Sequence, residues 1–405
     1  MVVSAPAASR NGRSSSGLRR AAASFCAVLA AALPLAGPAS AGGYDTGEQD
    51  WDILFSQGPV TVEAAVRHIR PERRLGRIVG VLGPSPDADE AAPFALPRFG
   101  VALRLGDAVR CAAAYREPWG GHADYGSAWT YAFSAIEQHF SSRDLGATCA
   151  LALPFDEGRL SVLAGLSHQQ IRYELIQSGG PGISRTTEVS DGAIGWRAGL
   201  AYEIPAYALR ASLIYQSQID YDMDGEVSVG GFAGTPVYGS IAMPQSAELK
   251  VQSGVAPGWL AFAAVKWTDW SVAGSMPLCA AGTPLCTQAF AVSGLTLLWE
   301  DSWTVTAGAA HQVSDVFTLA GSLTWDQGAS AGFTSQTDTW VVGLTGIFTP
   351  GDAIALRLGG SVGLLEGGTL STLVLPDGIA NPVGYTARFG DDLVYSASLS
   401  VALRY

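Results

Sequence analysis

The side chains that could carry chemistry are scattered along the chain. Its histidines lie in different segments, at His68, His122, His139, His168 and His311. None stands in an H-E-x-x-H or G-x-S-x-G context, which are spacings that build a zinc site or a nucleophile. His168 is the one conceivable general base of a hydrolase, and the alternative is that it is a polar residue lining the lumen. The acidic run from Asp220 to Glu226 lacks the glycine and final glutamate of a calcium loop, so a solvated acidic loop is expected. The sequence therefore predicts no enzyme, no metal site and no cofactor.

The amino terminus has the layout of a secretory signal peptide. Four arginines between Arg10 and Arg20 precede an apolar stretch from Ala21 to Gly37, and Ala39-Ser40-Ala41 is a small-x-small cleavage site. We expect residues 1–41 to be removed, so that the mature chain starts at Gly42. A single N-terminal anchor helix is the alternative.

Export bears on the four remaining cysteines, Cys111, Cys149, Cys279 and Cys286. Cys279 and Cys286 flank a short loop, and an oxidising compartment favours a disulfide between them. Two free thiols are the alternative. No C-x-x-C spacing is present, which argues against zinc.

Composition points to a membrane protein without membrane helices. Of 405 residues, 48% are hydrophobic and only 15% are charged, against about 25% in soluble domains. No apolar run after the amino terminus reaches the roughly 18 residues of a spanning helix. The net charge of −12 argues against nucleic acid as a partner.

Segments in which apolar residues alternate with small or polar ones are the candidates for crossing the membrane as strands. From Phe317 to Asp326, large apolar residues alternate with small or polar ones, and the same pattern runs from Leu393 to the terminal Tyr405. Alternate side chains of a strand point to opposite faces, so one face suits lipid and the other a polar lumen. A final amphipathic strand ending in an aromatic residue is similar to the assembly signal of bacterial outer-membrane barrels. We therefore expect partners in the barrel-assembly machinery and outer-membrane lipids.

Fourteen such segments are present, which predicts an all-β, fourteen-stranded antiparallel transmembrane β-barrel over residues 59–405. They lie near 60–70, 97–105, 108–118, 138–153, 159–175, 188–204, 207–220, 244–253, 257–271, 288–313, 316–327, 336–349, 352–365 and 393–405. Short connections alternate with long ones, and the long ones are 71–96, 119–137, 176–187, 221–243, 272–287, 328–335 and 366–392. We expect the long connections outside the cell and both termini at the short-turn end. A soluble β-sandwich is the alternative, but it leaves the indoles near strand ends unexplained, whereas interface girdles account for Trp119, Trp129, Trp267, Trp270, Trp299, Trp303 and Trp340.

Residues 42–58 precede the first strand and contain several apolar side chains, Trp51 and Phe55 among them. They are too many for a turn and too few for a domain. A small plug inside the lumen and a loose periplasmic tail are both open readings of this stretch.

A charged side chain on the lipid face costs free energy of folding. The alternation along each strand therefore assigns most charged residues to the face that lines the lumen. The residues assigned inward are Arg110, Arg172, Arg197, Arg210, Lys266, Arg357, Glu174, Asp220 and Glu300. Most of them should pair with one another, and a subset could bind an anionic head group. The outer loops are unusually apolar, with Trp129 in one and Phe232 in another, and such patches either bind ligand or close the barrel top.

Several stretches resemble a known family. The most specific is Val265-Lys266-Trp267-Thr268-Asp269-Trp270-Ser271, and Trp299-Glu300-Asp301-Ser302-Trp303 follows it. Tyr115-Arg116-Glu117-Pro118-Trp119-Gly120 is similar to the end of the third strand. This order resembles the outer-membrane transporters of long-chain fatty acids, some members of which carry hydrocarbons.

The resemblance implies fourteen strands, an N-terminal hatch in the lumen, and a sideways exit at a kinked third strand, where Pro118 fits a local break. The family's longer hatch with its Asn-Pro-Ala motif is missing here, which leaves gating by a full hatch open. We expect a monomeric passive transporter of hydrophobic small molecules in the bacterial outer membrane, with long-chain fatty acids as substrate. The candidate substrate residues are Lys266, Trp267, Trp270, Arg172, Arg197, Phe232 and Trp129. A general porin and an aromatic-hydrocarbon channel are the alternatives.

Overall fold

The computed structural model describes residues 42–375 and 378–405. The predicted signal peptide, residues 1–41, lies outside the described residues. No helix within the described ranges is long and apolar enough to cross a membrane.

The described chain forms a closed antiparallel barrel of fourteen strands, which confirms the predicted fold. The strands are β1 (Val60–Pro71), β2 (Phe94–Leu105), β3 (Val109–Arg116 and Gly120–Asp124), β4 (Glu137–Phe155), β5 (Gly158–Gly180), β6 (Ile183–Ile204), β7 (Leu209–Gln216 and Ile219–Val229), β8 (Thr235–Met243 and Ser246–Ala256), β9 (Trp259–Thr268 and Ser275–Ala280), β10 (Ser293–Thr296 and Ser302–Ser314), β11 (Phe317–Asp326), β12 (Thr339–Gly351), β13 (Ile354–Leu365) and β14 (Asp392–Arg404). Each strand pairs with the next, and β14 pairs with β1 from Thr61 opposite Arg404 to Pro71 opposite Val394. Closure leaves no sheet edge unpaired in lipid.

The two ends of the barrel differ. Short turns close one end, while the other carries the long connections and a five-stranded sheet, which we call the cap sheet. The cap-sheet strands are Arg74–Gly80, Gly83–Ser85, Ala88–Asp89, Gly368–Ser371 and Tyr385–Phe389. Short 3-10 helices are Asp52–Phe55, Pro205–Tyr207, Trp270–Val272 and Gln288–Phe290.

The outer face of the wall carries two rows of aromatic side chains. The row toward the long-loop end contains Trp196, Tyr215, Trp267, Trp303, Trp325 and Trp340, and the other contains Phe155, Tyr202, Trp259, His311, Phe317 and Phe348. Trp303 and His311 stand on the same strand, about 26 Å apart along it at about 3.3 Å per residue. With strand tilt, this separation suits the apolar band of about 25 Å that lipid requires.

The predicted girdle was only partly right. Trp267, Trp303 and Trp340 lie on the outer face, but the other four indoles are buried inside: Trp119, Trp129, Trp270 and Trp299. These four follow breaks or loops, where the two-residue alternation no longer reports the face.

Several strands extend further than predicted. The stretch 221–243, expected to be a loop, is mostly the paired ends of β7 and β8, with Val227 opposite Thr235 as the last pair. In the same way, β5 and β6 pair up to Gly180 opposite Ile183, which leaves a tight turn in place of the expected loop 176–187. The acidic side chains from Asp220 to Glu226 therefore stand in a strand, on its exposed face, while Tyr221 and Met223 point inward.

Two disulfides are present. Cys279 is joined to Cys286 at the long-loop end, and Cys111 of β3 is joined to Cys149 of β4, its cross-strand neighbour. The second bridge was not anticipated, because nothing in the sequence reveals that these two residues lie in register.

Candidate functional site

The residues from Gly42 to Gly58, called the N-terminal segment below, contact inward-facing side chains of the wall. Their acids pair with basic residues: Asp45 with Lys266, Glu48 with Arg67 at 3.0 Å, Asp50 with Arg197 at 2.5 Å, and Asp52 with Lys250 at 3.0 Å. At the far end of the segment, Arg110 donates hydrogen bonds to the carbonyl oxygens of Leu54, at 2.9 Å, and Ser56. The segment is thus tied to the wall along its length.

Asp50 is the most enclosed of these acids. It faces Arg197 on β6 and Arg116 on β3, the latter at 3.7 Å, and Asp144 on β4 lies 2.7 Å from Arg116. The ring of Trp51 lies 5.7 Å from both guanidinium groups. Burial alone would raise the pKa of Asp50, but the charges of Arg116 and Arg197 hold this pKa below the usual carboxyl range. Asp50 is therefore ionised at neutral pH, among charges that are screened little by salt.

The third strand is interrupted around Pro118. Pairing between β2 and β3 ends at Phe99 opposite Tyr115, whereas β1 pairs with β2 as far as Phe94. The stretch of β2 from Phe94 to Arg98 thus runs beyond its ladder with β3. A proline has no N–H to donate and suits such a break. We call this interruption the β3 break.

The N-terminal segment pairs with the backbone of the β3 break. Thr46 donates its backbone N–H to the carbonyl of Pro118 at 3.0 Å, and Gly120 donates to the carbonyl of Tyr44 at 2.9 Å. Gly121 permits this approach, because a Cβ there would lie 2.7 Å from the Tyr44 ring. Backbone groups freed by the interruption are therefore satisfied by the segment.

A cavity of about 310 Å³ lies beside the β3 break at the long-loop end. We call it the upper cavity. Phe94, Gly120 and Gly121 line it from the break, and Tyr44 lines it from the N-terminal segment. Its apolar lining includes Ile69, Leu295, Leu297, Leu365 and Val394, and its charged lining includes Arg73 and Glu90. It is concave, and polar and apolar groups contribute about equally to its lining. A concave site with an apolar part and a few polar groups is usual for small-molecule binding.

Aromatic side chains separate the upper cavity from the ion pairs below it. Tyr44 stacks on Phe140 with ring centroids 4.4 Å apart and meets Trp299 edge-on at 4.9 Å. Trp270 meets both Trp299, at 4.9 Å, and Trp119, at 5.4 Å, in edge-on geometry. Any shift of Tyr44 therefore changes the cavity and the aromatic cluster together.

The sequence matches the family model described as "Outer membrane protein transport protein (OMPP1/FadL/TodX)" over residues 2–338. The chain belongs to this family. Members are outer-membrane transport channels for hydrophobic compounds rather than enzymes. No curated protein matches the sequence.

Solved structures of this family share the fold. A Pseudomonas aeruginosa FadL homologue has a TM-score of 0.74 at 14% identity, covering 91% of this chain and 96% of its own. The Ralstonia pickettii toluene transporter TbuX has a TM-score of 0.62 at 14% identity, covering 91% and 97%. The P. putida toluene transporter TodX has a TM-score of 0.59 at 13% identity, covering 90% and 99%.

Within this FadL/TodX-family barrel, two predicted site residues come together. Lys266 and Arg197 line the same small cavity of about 30 Å³ below the aromatic cluster, and each is paired with an acid of the N-terminal segment. Glu300, which was assigned to the lumen with Lys266, is exposed, and Lys266 pairs with Asp45 of the N-terminal segment.

The other candidates are dispersed. Trp267 lies on the outer face opposite Trp303, because its neighbour Lys266 in the same strand points inward. Trp270 follows the end of that strand and is buried in the aromatic cluster. Trp129 packs in the core of the cap sheet, stacked on Tyr125 at 4.8 Å. Phe232 sits at the tip of the β7–β8 hairpin, with 80% of its surface exposed.

The inward assignment of Arg172 was wrong. Ile171 and Tyr173 point inward, so Arg172 stands on the outer face, where it pairs with Glu188 at 2.8 Å. Asp220 was misplaced for the same reason and is exposed. His168 also lies on the exposed face of β5, away from the lumen.

Sequence reasoning missed Glu90, Tyr44 and the acids of the N-terminal segment. Asp45, Glu48, Asp50 and Asp52 recur at short intervals in a stretch that precedes a barrel lined with arginine. That recurrence was a usable signal for docking into a basic lumen. No comparable signal marks Glu90, which stands in a long connection.

Proposed function

We propose that this transporter takes up uncharged hydrophobic molecules of about one or two rings through the upper cavity. The molecules then leave sideways through the wall at the β3 break. The observation that carries the proposal is the position of the cavity, which is bordered by Phe94, Gly120 and Gly121 of the break.

Cavity size supports a small ligand. A dry cavity of about 150 Å³ is large enough to bind benzene. The upper cavity, at about 310 Å³, offers about twice that volume. A long fatty-acyl chain would have to extend beyond it.

Charge supports an uncharged ligand. Glu90 lines the upper cavity and supplies no positive charge for a carboxylate, while Arg73 is held by Asp392 at 3.4 Å and by backbone carbonyls of the loops. The cations suited to a fatty-acid head group, Lys266 and Arg197, lie below the aromatic cluster and already have partners. These contacts favour hydrocarbons and other neutral molecules over long-chain fatty acids.

The contacts of the N-terminal segment argue against a general porin. Its ion pairs occupy the lumen at Arg197 and Lys250, where a porin would hold water. We propose that the segment acts as a short hatch. Passage then requires Tyr44 and Thr46 to release Gly120 and Pro118, which frees the β3 break.

Uptake assays test the proposal. Cells expressing the chain should accumulate labelled toluene faster than cells without it, with no gain for oleate and no swelling of liposomes in sugars. Oleate uptake without toluene uptake would establish fatty-acid transport instead, and sugar-driven swelling would establish a porin.

A cross-link tests the exit. Thr46→Cys with Glu117→Cys joins the N-terminal segment to the β3 break, since the Thr46 hydroxyl lies 2.6 Å from the carbonyl oxygen of Glu117. Oxidation should abolish toluene uptake and a reductant should restore it. The unsubstituted chain under the same reductant is the control for its own disulfides. Full uptake by the cross-linked protein would contradict an exit at the break.

A further inference from the structure

The upper cavity has one acid, Glu90, in its mixed polar and apolar lining. Glu90 lies in the connection between the cap sheet and β2, and it accepts a hydrogen bond from the Tyr125 hydroxyl at 3.2 Å. Both residues line the cavity. The backbone N–H of Glu90 donates to the carbonyl of Arg73 at 2.8 Å, which fixes its main chain.

Glu90 is short of donors. Its Oε2 is buried and has no hydrogen-bond partner within normal geometry among the described residues. Burial raises the pKa of Glu90, and this rise is reduced by the hydroxyls of Ser335 and Tyr125 and by the charge of Arg73. A carboxylate offers about four acceptor positions, so the hydroxyls of Tyr125 and Ser335 leave part of them unused.

The neighbouring cation, Arg73, has other hydrogen-bond partners. Arg73 donates to the carbonyls of Glu366, at 3.1 Å, and Gly390, at 3.3 Å, and it covers the Phe389 ring at 4.6 Å. No ion pair within 4.0 Å joins Arg73 to Glu90 in the part of the chain that the structure describes. Glu90 therefore keeps acceptor capacity that its neighbours do not use.

Tyr125, which also lines the cavity, adds a second hydrogen-bond acceptor beside Glu90. The Tyr125 hydroxyl donates a hydrogen bond to Glu90, so its oxygen can still accept a hydrogen bond from a ligand. A donor placed there forms a chain that runs from ligand to Tyr125 to Glu90, and hydrogen bonds in such chains strengthen one another. The pair accepts a hydrogen bond from a donor and supplies no cation for a carboxylate ligand.

We propose that the Glu90–Tyr125 pair selects hydrophobic molecules that carry one hydrogen-bond donor, such as a phenol or an alcohol. The hydroxyl binds at the pair while the ring or chain fills the apolar part of the upper cavity. This inference rests on the proposed function and narrows its substrate class.

Matched ligands test it without any substitution. Toluene, 4-methylphenol and 4-methylanisole share a ring, but only the phenol has a donor. Binding of labelled ligands to the purified barrel in detergent is measured against micelles alone. We expect 4-methylphenol to bind about ten-fold more tightly than 4-methylanisole, because a site shaped for a hydroxyl rejects an analogue that lacks the donor. Equal affinities would overturn the proposal.

Two variants locate the effect. Glu90→Leu and Tyr125→Phe should each remove most of the preference for 4-methylphenol over 4-methylanisole, measured as the ratio of the two affinities in the same variant. Asp89→Leu, which changes the exposed neighbouring acid, is the matched control and should retain the preference. A preference that survives in both variants refutes the assignment to this pair. Failure of all three ligands to bind the unsubstituted barrel would instead refute the proposed function.

Discussion

Replacing Asp50 by asparagine should loosen the N-terminal segment. The amide would keep the size of the side chain and remove its charge, while Arg197 and Arg116 stay where they are. Both guanidinium groups then share one carboxylate, Asp144, which already lies 2.7 Å from Arg116 and 3.8 Å from Arg197. The perturbation therefore leaves about one buried positive charge uncompensated.

The loss of docking free energy in Asp50→Asn follows from that uncompensated positive charge. Removing one partner of a buried pair costs about 3–5 kcal/mol, and the remaining carboxylate argues for the lower end. A loss of about 3 kcal/mol reduces the ratio of docked to undocked segment by about 150-fold. Replacing Arg197 by glutamine as well rebalances the site as one Arg116–Asp144 pair. The double variant should thus lose less than the sum of the single losses, by at least about 1.5 kcal/mol.

Ion conductance in planar bilayers reports undocking, because it opens the lumen to water. Openings should become frequent in Asp50→Asn, together with faster proteolysis near Gly47. Asp156→Asn, an exposed acid in the turn between β4 and β5, is the matched control and should behave as the unsubstituted chain.

The pH dependence has a defined sign. The folded-state pKa of Asp50 is lowered, so its contribution is complete above the unfolded value of about 3.9 and is lost as the pH falls through the folded value. The unsubstituted channel should stay closed at neutral pH and open only in strong acid. Unchanged conductance in Asp50→Asn, or equal openings in Asp156→Asn, would refute the argument.

Four further outcomes are expected. Lys266→Met should leave toluene binding unchanged, because Lys266 pairs with Asp45 outside the upper cavity; a ten- to hundred-fold loss confined to fatty-acid binding would return this residue to the substrate site. Removing Tyr405, whose backbone N–H bonds Val60 at 2.9 Å, should lower the yield of heat-modifiable barrel, and a normal yield would count against its role in closure. Protease added to intact cells should cut the β7–β8 tip at Gly231 and spare residues 155–158, and the reverse pattern would invert the topology. Non-reducing mass mapping should find Cys279 linked to Cys286, and free thiols at both positions would disprove that bridge.

The sequence by itself determined the class and count of the strands. Alternation from Phe317 to Asp326 and at thirteen other places is a local property, fixed by lipid on one side and a polar lumen on the other. Strand closure then followed, because lipid leaves no water for an open edge. The fourteen strands, the short turns and the family were therefore within reach of sequence alone.

Only the tertiary structure decided which face each residue takes and which distant residues meet. Alternation gives relative positions, and a break resets the phase, as it did for the buried Trp270. Arg172 lies in an unbroken strand, but alternation alone does not say which of the two faces is the lumen. The contact of Asp50 with Arg197 spans 147 residues, and no local pattern encodes such a distance. The acceptor pair of Glu90 and Tyr125 joins two connections of different length, so it exists only because the closed barrel brings its loops over one lumen.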